Sequence, residues 1–339
     1  MREHMSTETR AGRPSSLRRP SMRSAERVAL PVVWLVLIVM FSILLPTTFF
    51  STGNLSSILS SSAVIVVLTL GILIPLTAGD FDVSIAFNLV LSSMLIALLN
   101  TELGWPVGLA ILAALAVGAL VGYINGLFVV VFGIDSLIVT LGTGTFVGGI
   151  VLWISGSNTF SGISDALVQP VIMWRLVGIP LIFYYGLILC VVIWYVFEFT
   201  PLGRKLLMVG RGRDVARLAG IQVNRLRWGA LITSGVISAF AGVLYAGTTG
   251  GADPVSGTAY LLPAFAAAFL GSTTIVPGRF NPWGAFIAVY FLATGINGLQ
   301  LLGVQGFVQN LFYGGALVLA VTLSQLARRR EAADTTVAE

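Results

Sequence analysis

Long apolar segments constrain this chain more than any other feature of its sequence. A helix needs roughly 20 mainly apolar residues to cross about 30 Å of hydrocarbon. Ten segments reach or approach that length: residues 28–50, 58–78, 83–99, 106–131, 136–155, 178–199, 228–249, 260–276, 282–300 and 306–326. Gly, Pro, Asn or a charged residue stands at most junctions. The pattern predicts an all-α polytopic membrane protein with about ten transmembrane helices. Two of them, 83–99 and 260–276, are short for a full crossing.

The composition is incompatible with a water-soluble surface. Hydrophobic residues make up 56% of the 339 residues and charged residues 10%, and the mean hydropathy is +0.95. A lipid-facing exterior explains these values together. Cys190 is the only cysteine and lies in an apolar run, which excludes an internal disulfide and a multi-cysteine metal site.

The basic residues predict the orientation of the chain. They cluster in the N-terminal tail, in the loop 200–228 and at 328–330, and an even number of predicted spans separates each cluster from the next. Basic clusters beside apolar spans mark the cytoplasmic side and carry no sign of nucleic-acid binding. We therefore predict a multi-pass protein of the cell's inner membrane with both termini cytoplasmic. Its parts would be a disordered basic tail (1–27), a transmembrane domain (28–327) and a second cytoplasmic tail (328–339).

The same topology predicts the side on which the remaining junction charges lie. Arg279 falls on the cytoplasmic side. Glu102, Asp165 and Asp253 fall outside, and Arg175 is the one basic exception among the external segments. The charge distribution is therefore self-consistent.

A polar interruption of two apolar segments is the clearest candidate site. Residues 79–84 read G-D-F-D-V-S, and glycine, a nearby proline and two carboxylates together predict a broken helix whose freed backbone groups need partners. An ordinary short cytoplasmic turn is the alternative. Polar groups at membrane depth typically face a bundle interior or a water-filled path. Candidates for the translocation path are Asp80, Phe81, Asp82, Ser84, Asn88, Asn125 and Asn297. For the asparagines, hydrogen bonding between helices is the first interpretation and lining a solute path the second.

The loop 200–228 carries seven basic residues, which anchoring to anionic lipid would by itself explain. Its internal order indicates more, because residues 213–220 can form two turns of helix that end at a glycine. Val215, Leu218 and Ala219 would share one face, and the arginines of this segment would lie on another. Such a helix can dock in a groove of a cytoplasmic partner.

These motifs resemble those of the permeases of ribose-type ABC sugar importers, which are related more distantly to branched-chain amino acid permeases. In combination they span about residues 58–326 in the family's order. The matching segments are G-D-F-D-V-S (79–84), T-P-L-G-R (200–204), R-L-A-G-I-Q-V-N-R (217–225), F-L-G-S-T (269–273), P-G-R-F (277–280), N-G-L (297–299) and L-G-V (302–304). The first is similar to the family's G-[IF]-D-[LV]-S signature. It is followed by I-A-F (85–87), where the family usually has a small residue.

The resemblance implies a non-catalytic subunit of an ATP-driven importer. Such a permease dimerises with a second copy or a homologue and receives a small polar solute, a monosaccharide or related polyol, from an extracytoplasmic binding protein. A separate ATP-binding subunit binds ATP and Mg, so no cofactor, metal or catalytic residue is expected in this chain. The residues that the resemblance assigns to the coupling loop are Gly203, Arg204, Arg213, Asp214, Arg217, Leu218, Ala219, Gly220 and Ile221.

The residues themselves leave one alternative open. The chain contains no G-x-x-x-x-G-K-[ST] phosphate loop, and its only histidine is His4 in the tail. A membrane-embedded enzyme would need a cluster of catalytic side chains that the sequence lacks. A stand-alone secondary transporter or channel for a small solute would need coupling groups deep in the membrane, for which Asp80 and Asp82 are the main candidates.

Overall fold

The protein is a bundle of helices joined by short connections. A computed structural model describes residues 22–336, with side chains for residues 27–322. The α-helices in that part are α1 (Met22–Leu44), α2 (Thr52–Ser61), α3 (Ala63–Thr77), α4 (Ile85–Ala97), α5 (Val107–Gly126), α6 (Ser136–Ser155), α7 (Asp165–Val168), α8 (Leu181–Phe199), α9 (Pro201–Arg211), α10 (Arg213–Leu218), α11 (Val223–Thr249), α12 (Leu261–Gly271), α13 (Pro282–Leu301) and α14 (Phe307–Thr336). π-Helical turns extend α4 through Glu102, α5 through Val131 and α7 through Met173. A 3₁₀ turn, Ser256–Tyr260, precedes α12.

Four two-residue strands lie in the connections. β1 (Phe160–Ser161) pairs antiparallel with β4 (Gly251–Ala252), and Phe160 stands opposite Ala252. β2 (Arg175–Leu176) pairs antiparallel with β3 (Ile179–Pro180). Since 78% of the chain is helical, the predicted all-α class is confirmed.

The predicted apolar segments correspond one to one with helical stretches. Eight stretches within residues 27–322 are long and apolar enough to cross a membrane: Arg27–Leu44, Thr52–Thr77, Ile85–Glu102, Val107–Val131, Ser136–Ser155, Leu181–Phe199, Val223–Thr249 and Pro282–Leu301. The two remaining predicted segments overlap the shorter apolar stretch Ser256–Gly271 and the apolar part Phe307–Thr322 of α14, a helix that continues through Thr336. A polytopic membrane fold is therefore confirmed.

Some boundaries differ from the predicted ones. α1 begins at Met22, so residues 22–27 of the predicted disordered tail are helical. α14 continues through Thr336, so most of the predicted tail 328–339 is helical as well. The remainder of the two predicted tails, residues 1–21 and 337–339, lies outside the described residues.

α11 lies at the centre of the bundle and packs against α3, α4 and α5. Glycines allow this close approach. A Cβ atom on Gly235 of α11 would overlap the carbonyl oxygen of Gly118 of α5, and a Cβ on Gly242 would lie 2.5 Å from the carbonyl oxygen of Leu89 of α4. Small residues at helix contacts are the usual means of bringing membrane helices together.

The connections group at two ends of the bundle, as the predicted topology requires. One end, which we call the basic end, contains the segments 79–84, 200–228 and 272–281. Arg213 contacts Gly79 at this end, and Arg279 pairs with Glu198 at 3.5 Å. The opposite end, which we call the far end, contains the paired strands β1 and β4. Which end faces the cytoplasm stays a prediction from the charge distribution.

Candidate functional site: the α3–α4 turn and the basic loop

The turn between α3 and α4 buries two carboxylates. α3 ends at Thr77, and Gly79 takes the left-handed conformation (φ +81°) that reverses the chain without a side-chain clash. Asp80 is 1% exposed and Asp82 is fully buried. A carboxylate withdrawn from water in this way requires cations or hydrogen-bond donors around it.

Two arginines from the basic end neutralise Asp80. Arg227 of α11 forms a bidentate pair, with its Nε 2.7 Å from Oδ2 and its Nη2 2.7 Å from Oδ1 of Asp80. Arg213 of α10 donates from Nη2 to Asp80 Oδ1 and to the Gly79 carbonyl oxygen, each at 2.9 Å. The Arg227 side chain is 10% exposed and that of Arg213 39% exposed. Asp80 therefore joins the turn, the basic loop and the central helix through charge-assisted hydrogen bonds.

Hydroxyl and amide groups satisfy Asp82. Its Oδ1 accepts hydrogen bonds from the backbone N (3.1 Å) and Oγ (2.6 Å) of Ser84, and its Oδ2 accepts one from Ser234 Oγ of α11 at 2.7 Å. Ser84 Oγ accepts a hydrogen bond from Asn125 Nδ2 at 2.8 Å. Thr143 Oγ1 donates to Asn125 Oδ1 at 2.5 Å. Asp82 therefore begins a polar network that connects α4, α5, α6 and α11.

The backbone of the turn is bound by α6. Ser136 Oγ accepts a hydrogen bond from the Phe81 amide and Thr140 Oγ1 one from the Val83 amide, each at 3.0 Å. The turn joins two separate apolar helical stretches at the basic end, which is the arrangement of the alternative, a short turn. Side chains of a neighbouring helix satisfy its backbone amides, and a role of the turn in the solute path stays a prediction.

The candidates for the translocation path divide into two groups. Phe81 lines a cavity of about 770 Å³ beside α12 and α14, and it stacks on Phe265 and Phe269 with ring centroids 6.5 Å apart in each case. Asn297 lines a second cavity, of about 330 Å³, at the far end. The candidates that are buried between helices and line neither cavity are Asp80, Asp82, Ser84, Asn88 and Asn125.

Asn88 and Asn125 form hydrogen bonds between helices, which was the first of the two interpretations of these residues. Asn88 Nδ2 donates to the Gly235 carbonyl oxygen and to Ser238 Oγ, each at 2.8 Å. Asn125 bridges Ser84 and Thr143 as described above. A role of either asparagine in the solute path stays a prediction.

The basic loop folds into α9 and α10. Thr200 caps α9, because its Oγ1 accepts a hydrogen bond from the Gly203 amide at 3.4 Å. α10 ends in a Schellman motif: the Ile221 amide binds the Ala216 carbonyl at 3.0 Å, and the Gly220 amide binds that of Arg217 at 2.9 Å. Gly220 has φ +76°. The predicted short helix ending at this glycine is confirmed.

α10 presents apolar side chains to its surroundings. Leu218 is 90% exposed and Val215 72%, whereas Ala216 is buried against the rest of the protein. A groove of about 310 Å³ separates α10 from α9, and its wall includes Met208, Val215 and Ala219. The helix and its groove therefore form an unpartnered apolar surface at the basic end.

The two arginines of this segment, which are four residues apart, have different partners. Arg213 turns toward Asp80, because the buried carboxylate attracts it away from water. Arg217 lies at the surface, 3.4 Å from the exposed Asp214. Of the other predicted coupling residues, Gly203 is buried, Ile221 is partly buried, and Arg204, Ala219 and Gly220 are exposed.

Sequence reasoning missed Arg227 and the close contact at Gly210. The sequence shows Arg227 only as one of the seven basic residues of the loop. The available signal is Asp80, because a carboxylate in an apolar segment needs a cation nearby. A Cβ atom on Gly210 of α9 would overlap the carbonyl oxygen of Thr77, so glycine there lets α9 lie directly on the turn. The only sequence signal for this contact is a glycine inside a helical segment.

Gly210→Ala is expected to destabilise the protein by about 1–3 kcal/mol, because the added methyl group separates α9 from the α3–α4 turn. Thermal unfolding in detergent measures this change. Gly108→Ala is the matched control, since Gly108 lies in α5 with no atom near its would-be Cβ. The control is expected to be neutral or stabilising by up to about 1 kcal/mol, as for Gly→Ala in any open helix. Equal unfolding temperatures for the two variants would contradict the contact.

The polar groups of the site hold helices and the basic loop together. Its groups form ion pairs and hydrogen bonds between helices, and residues 27–322 contain no group of three or more His, Cys, Asp or Glu placed to hold a metal ion. The fold and the site together define a multi-pass membrane protein with a buried acidic turn tied to a folded basic loop.

Comparisons with known proteins identify the class. A family model described as "Branched-chain amino acid transport system / permease component" matches residues 54–321. The D-allose transport system permease protein AlsC of Escherichia coli (strain K12) is 31% identical over 291 residues, which cover 86% of this chain and 89% of that protein. The ribose import permease protein RbsC of the same strain is 29% identical over 323 residues, covering 94% of this chain and 98% of that protein.

A third relative is the autoinducer 2 import system permease protein LsrD of Salmonella paratyphi B (strain ATCC BAA-1250 / SPB7). It is 30% identical over 257 residues, covering 73% of this chain and 77% of that protein. No solved structure matches the chain significantly. The chain belongs to the ribose-type ABC importer permease family and is a multi-pass inner-membrane protein.

Proposed function

We propose that this chain is the transmembrane permease subunit of an ATP-driven importer that moves a small polar solute, a monosaccharide or related polyol, across the inner membrane. The relatives named for D-allose and ribose transport support the solute class. The observation that carries the proposal is the exposed apolar face of α10, on a helix tied to the membrane bundle through Asp80. A subunit that binds and hydrolyses ATP would dock on this surface.

The proposed partners follow from what the chain needs. A second permease copy or a homologue completes the pathway, and an extracytoplasmic binding protein delivers the solute at the far end. The ATP-binding subunit holds ATP and Mg. Val215 and Leu218 are of the apolar type that fills a partner's groove when a short helix docks.

Movement of the docked α10 would be transmitted to the cavity lining, because the residue that α10 binds is adjacent in sequence to one that lines the cavity. Arg213 of α10 binds Asp80, and the next residue, Phe81, lines the cavity of about 770 Å³. A shift of α10 would therefore pull on the turn and change the packing of Phe81 against Phe265 and Phe269. The proposal requires a second packed arrangement of this turn, because switching between two packings is a usual basis of conformational change.

Arg213→Gln is expected to raise the number of ATP molecules hydrolysed per solute imported severalfold. Membrane abundance should stay near that of the wild type, because the bidentate pair with Arg227 still neutralises Asp80. Reconstituted vesicles allow ATP hydrolysis and uptake to be measured together. Arg225→Gln is the control, since Arg225 is exposed in the first turn of α11. The same ratio in both variants would contradict the proposed transmission.

Purification of the chain from its native membranes in mild detergent tests the proposed assembly. We expect an ATP-binding subunit in equal number and two permease chains per particle. Recovery of the chain alone, together with solute flux that needs no ATP, would instead support a secondary transporter or channel.

A further inference from the structure

The second cavity, at the far end, is lined by polar and apolar residues of several helices. It has a volume of about 330 Å³ and lies where α2 meets α3, beside the carboxyl-terminal ends of α11 and α13 and the starts of α12 and α14. This volume is within the range of about 300–1,000 Å³ that is typical of small-molecule sites. We call it the far-end cavity.

Hydroxyl and amide groups dominate its wall. Three serines, three tyrosines and three side-chain amides line it, and the amides belong to Asn297, Gln300 and Gln309. These groups both donate and accept hydrogen bonds. They match a solute that carries several hydroxyl groups, each of which also donates and accepts.

The lining side chains carry no Asp, Glu, Lys, Arg or His. The carboxylate of Asp253, the residue that follows β4, is engaged elsewhere: it accepts hydrogen bonds from Thr159, from the amides of Val255 and Ser256, and from Ser256 Oγ. Those hydrogen bonds lower the pKa of Asp253 to about 2. A zwitterion in the cavity would bring two charges that face no counter-charge, which is unfavourable to the extent that they lose water. A neutral solute avoids that cost.

Asn297 has hydrogen-bonding capacity that the helix packing leaves unused. Its Oδ1 is buried and forms no hydrogen bond, although buried polar atoms nearly always have a partner. A solute hydroxyl in the cavity would provide one after a small rotation of the amide. This is the one asparagine of the predicted path that lines a cavity.

The far-end cavity also adjoins the larger one. Gln309 and Tyr313 of α14 and Pro263 of α12 line both cavities. The larger cavity extends along α12 and α14 to Phe81 at the basic end. The two cavities are therefore neighbours, and the larger one is mainly apolar and reaches the turn tied to α10.

We propose that the far-end cavity is a solute-binding site for a neutral polyhydroxylated molecule and that it excludes amino-acid zwitterions. The inference rests on the proposed importer function and adds the location of the site and the charge class of its ligand. The inferred ligand therefore differs from the branched-chain amino acids named in the description of the matching family model.

Single-cysteine labelling tests the site. Cys190 is the only cysteine and is buried in α8, so Cys190→Ser gives a cysteine-free background. Asn297→Cys in that background places a thiol in the far-end cavity, and Ser61→Cys does so with a nearly isosteric change. The assembled importer would be treated with a membrane-impermeant methanethiosulfonate, with and without D-allose, D-ribose, xylitol or L-leucine. Uptake of the same four compounds would be measured in parallel.

We expect any neutral compound that is transported to slow labelling of both cysteines at least tenfold, and leucine to have no effect. Asn158→Cys is the control, because Asn158 is exposed at the far end and lies outside the cavity. Its labelling rate should not change. A neutral compound that is transported without protecting either cysteine would overturn the site, and protection by leucine would overturn the selectivity. Absence of ATP-driven uptake of all four compounds would instead count against the proposed function.

Discussion

Asp80→Ala is expected to destabilise the protein by about 3–5 kcal/mol, because it leaves a buried charge without its partner. The Arg227 side chain is 10% exposed and both of its hydrogen bonds to the turn end on this carboxylate. Arg213 would lose its ion pair as well but can turn toward water. Thermal unfolding in detergent and the amount of protein in the membrane measure the loss.

Asp214→Ala is the matched control. Its carboxylate belongs to the same basic loop and also pairs with an arginine, but its side chain is 92% exposed. Removing an exposed partner typically changes stability by no more than about 0.5 kcal/mol. Equal unfolding temperatures for the two variants would contradict the stabilising role of the buried Arg227–Asp80 pair.

Leu218→Asp is expected to weaken binding of the ATP-binding subunit by about thirtyfold, since an apolar anchor at the centre of an interface contributes about 2 kcal/mol or more. Leu218 is 90% exposed on α10, so the substitution should leave the fold of the permease unchanged. Titration of the ATP-binding subunit against detergent-solubilised permease measures the affinity.

Leu302→Asp controls for a new charge on an exposed leucine. Leu302 is 46% exposed and follows α13 at the far end. Its variant should bind the ATP-binding subunit as the wild type does. Equal affinities of the Leu218 and Leu302 variants would exclude α10 as the docking element.

The helices were predictable because lipid allows few alternatives. A backbone in hydrocarbon must satisfy its own polar groups, so a long apolar segment becomes a helix. Each of the ten predicted segments overlaps a helical stretch for this reason. Local rules also predicted the end of α10, where Gly220 supplies the left-handed residue of the cap.

The candidate site was predictable only in part, because its contacts join residues far apart in the sequence. The two carboxylates of the turn were conspicuous, but a pairing across 147 residues, such as that of Asp80 with Arg227, leaves no local pattern. The charge rule that oriented the chain treated every loop arginine alike. For the same reason, nothing in the sequence separated Asn297, which lines a cavity, from Asn88, which binds a neighbouring helix.

Uptake by reconstituted vesicles would show whether this chain is the permease of an ATP-driven importer. The vesicles would contain this chain with its ATP-binding subunit, ATP inside and the solute-binding protein outside, and would be given labelled D-allose or D-ribose. We expect accumulation that requires ATP and both partners. Equal flux in ATP-free vesicles that contain this chain alone would contradict the proposed importer function.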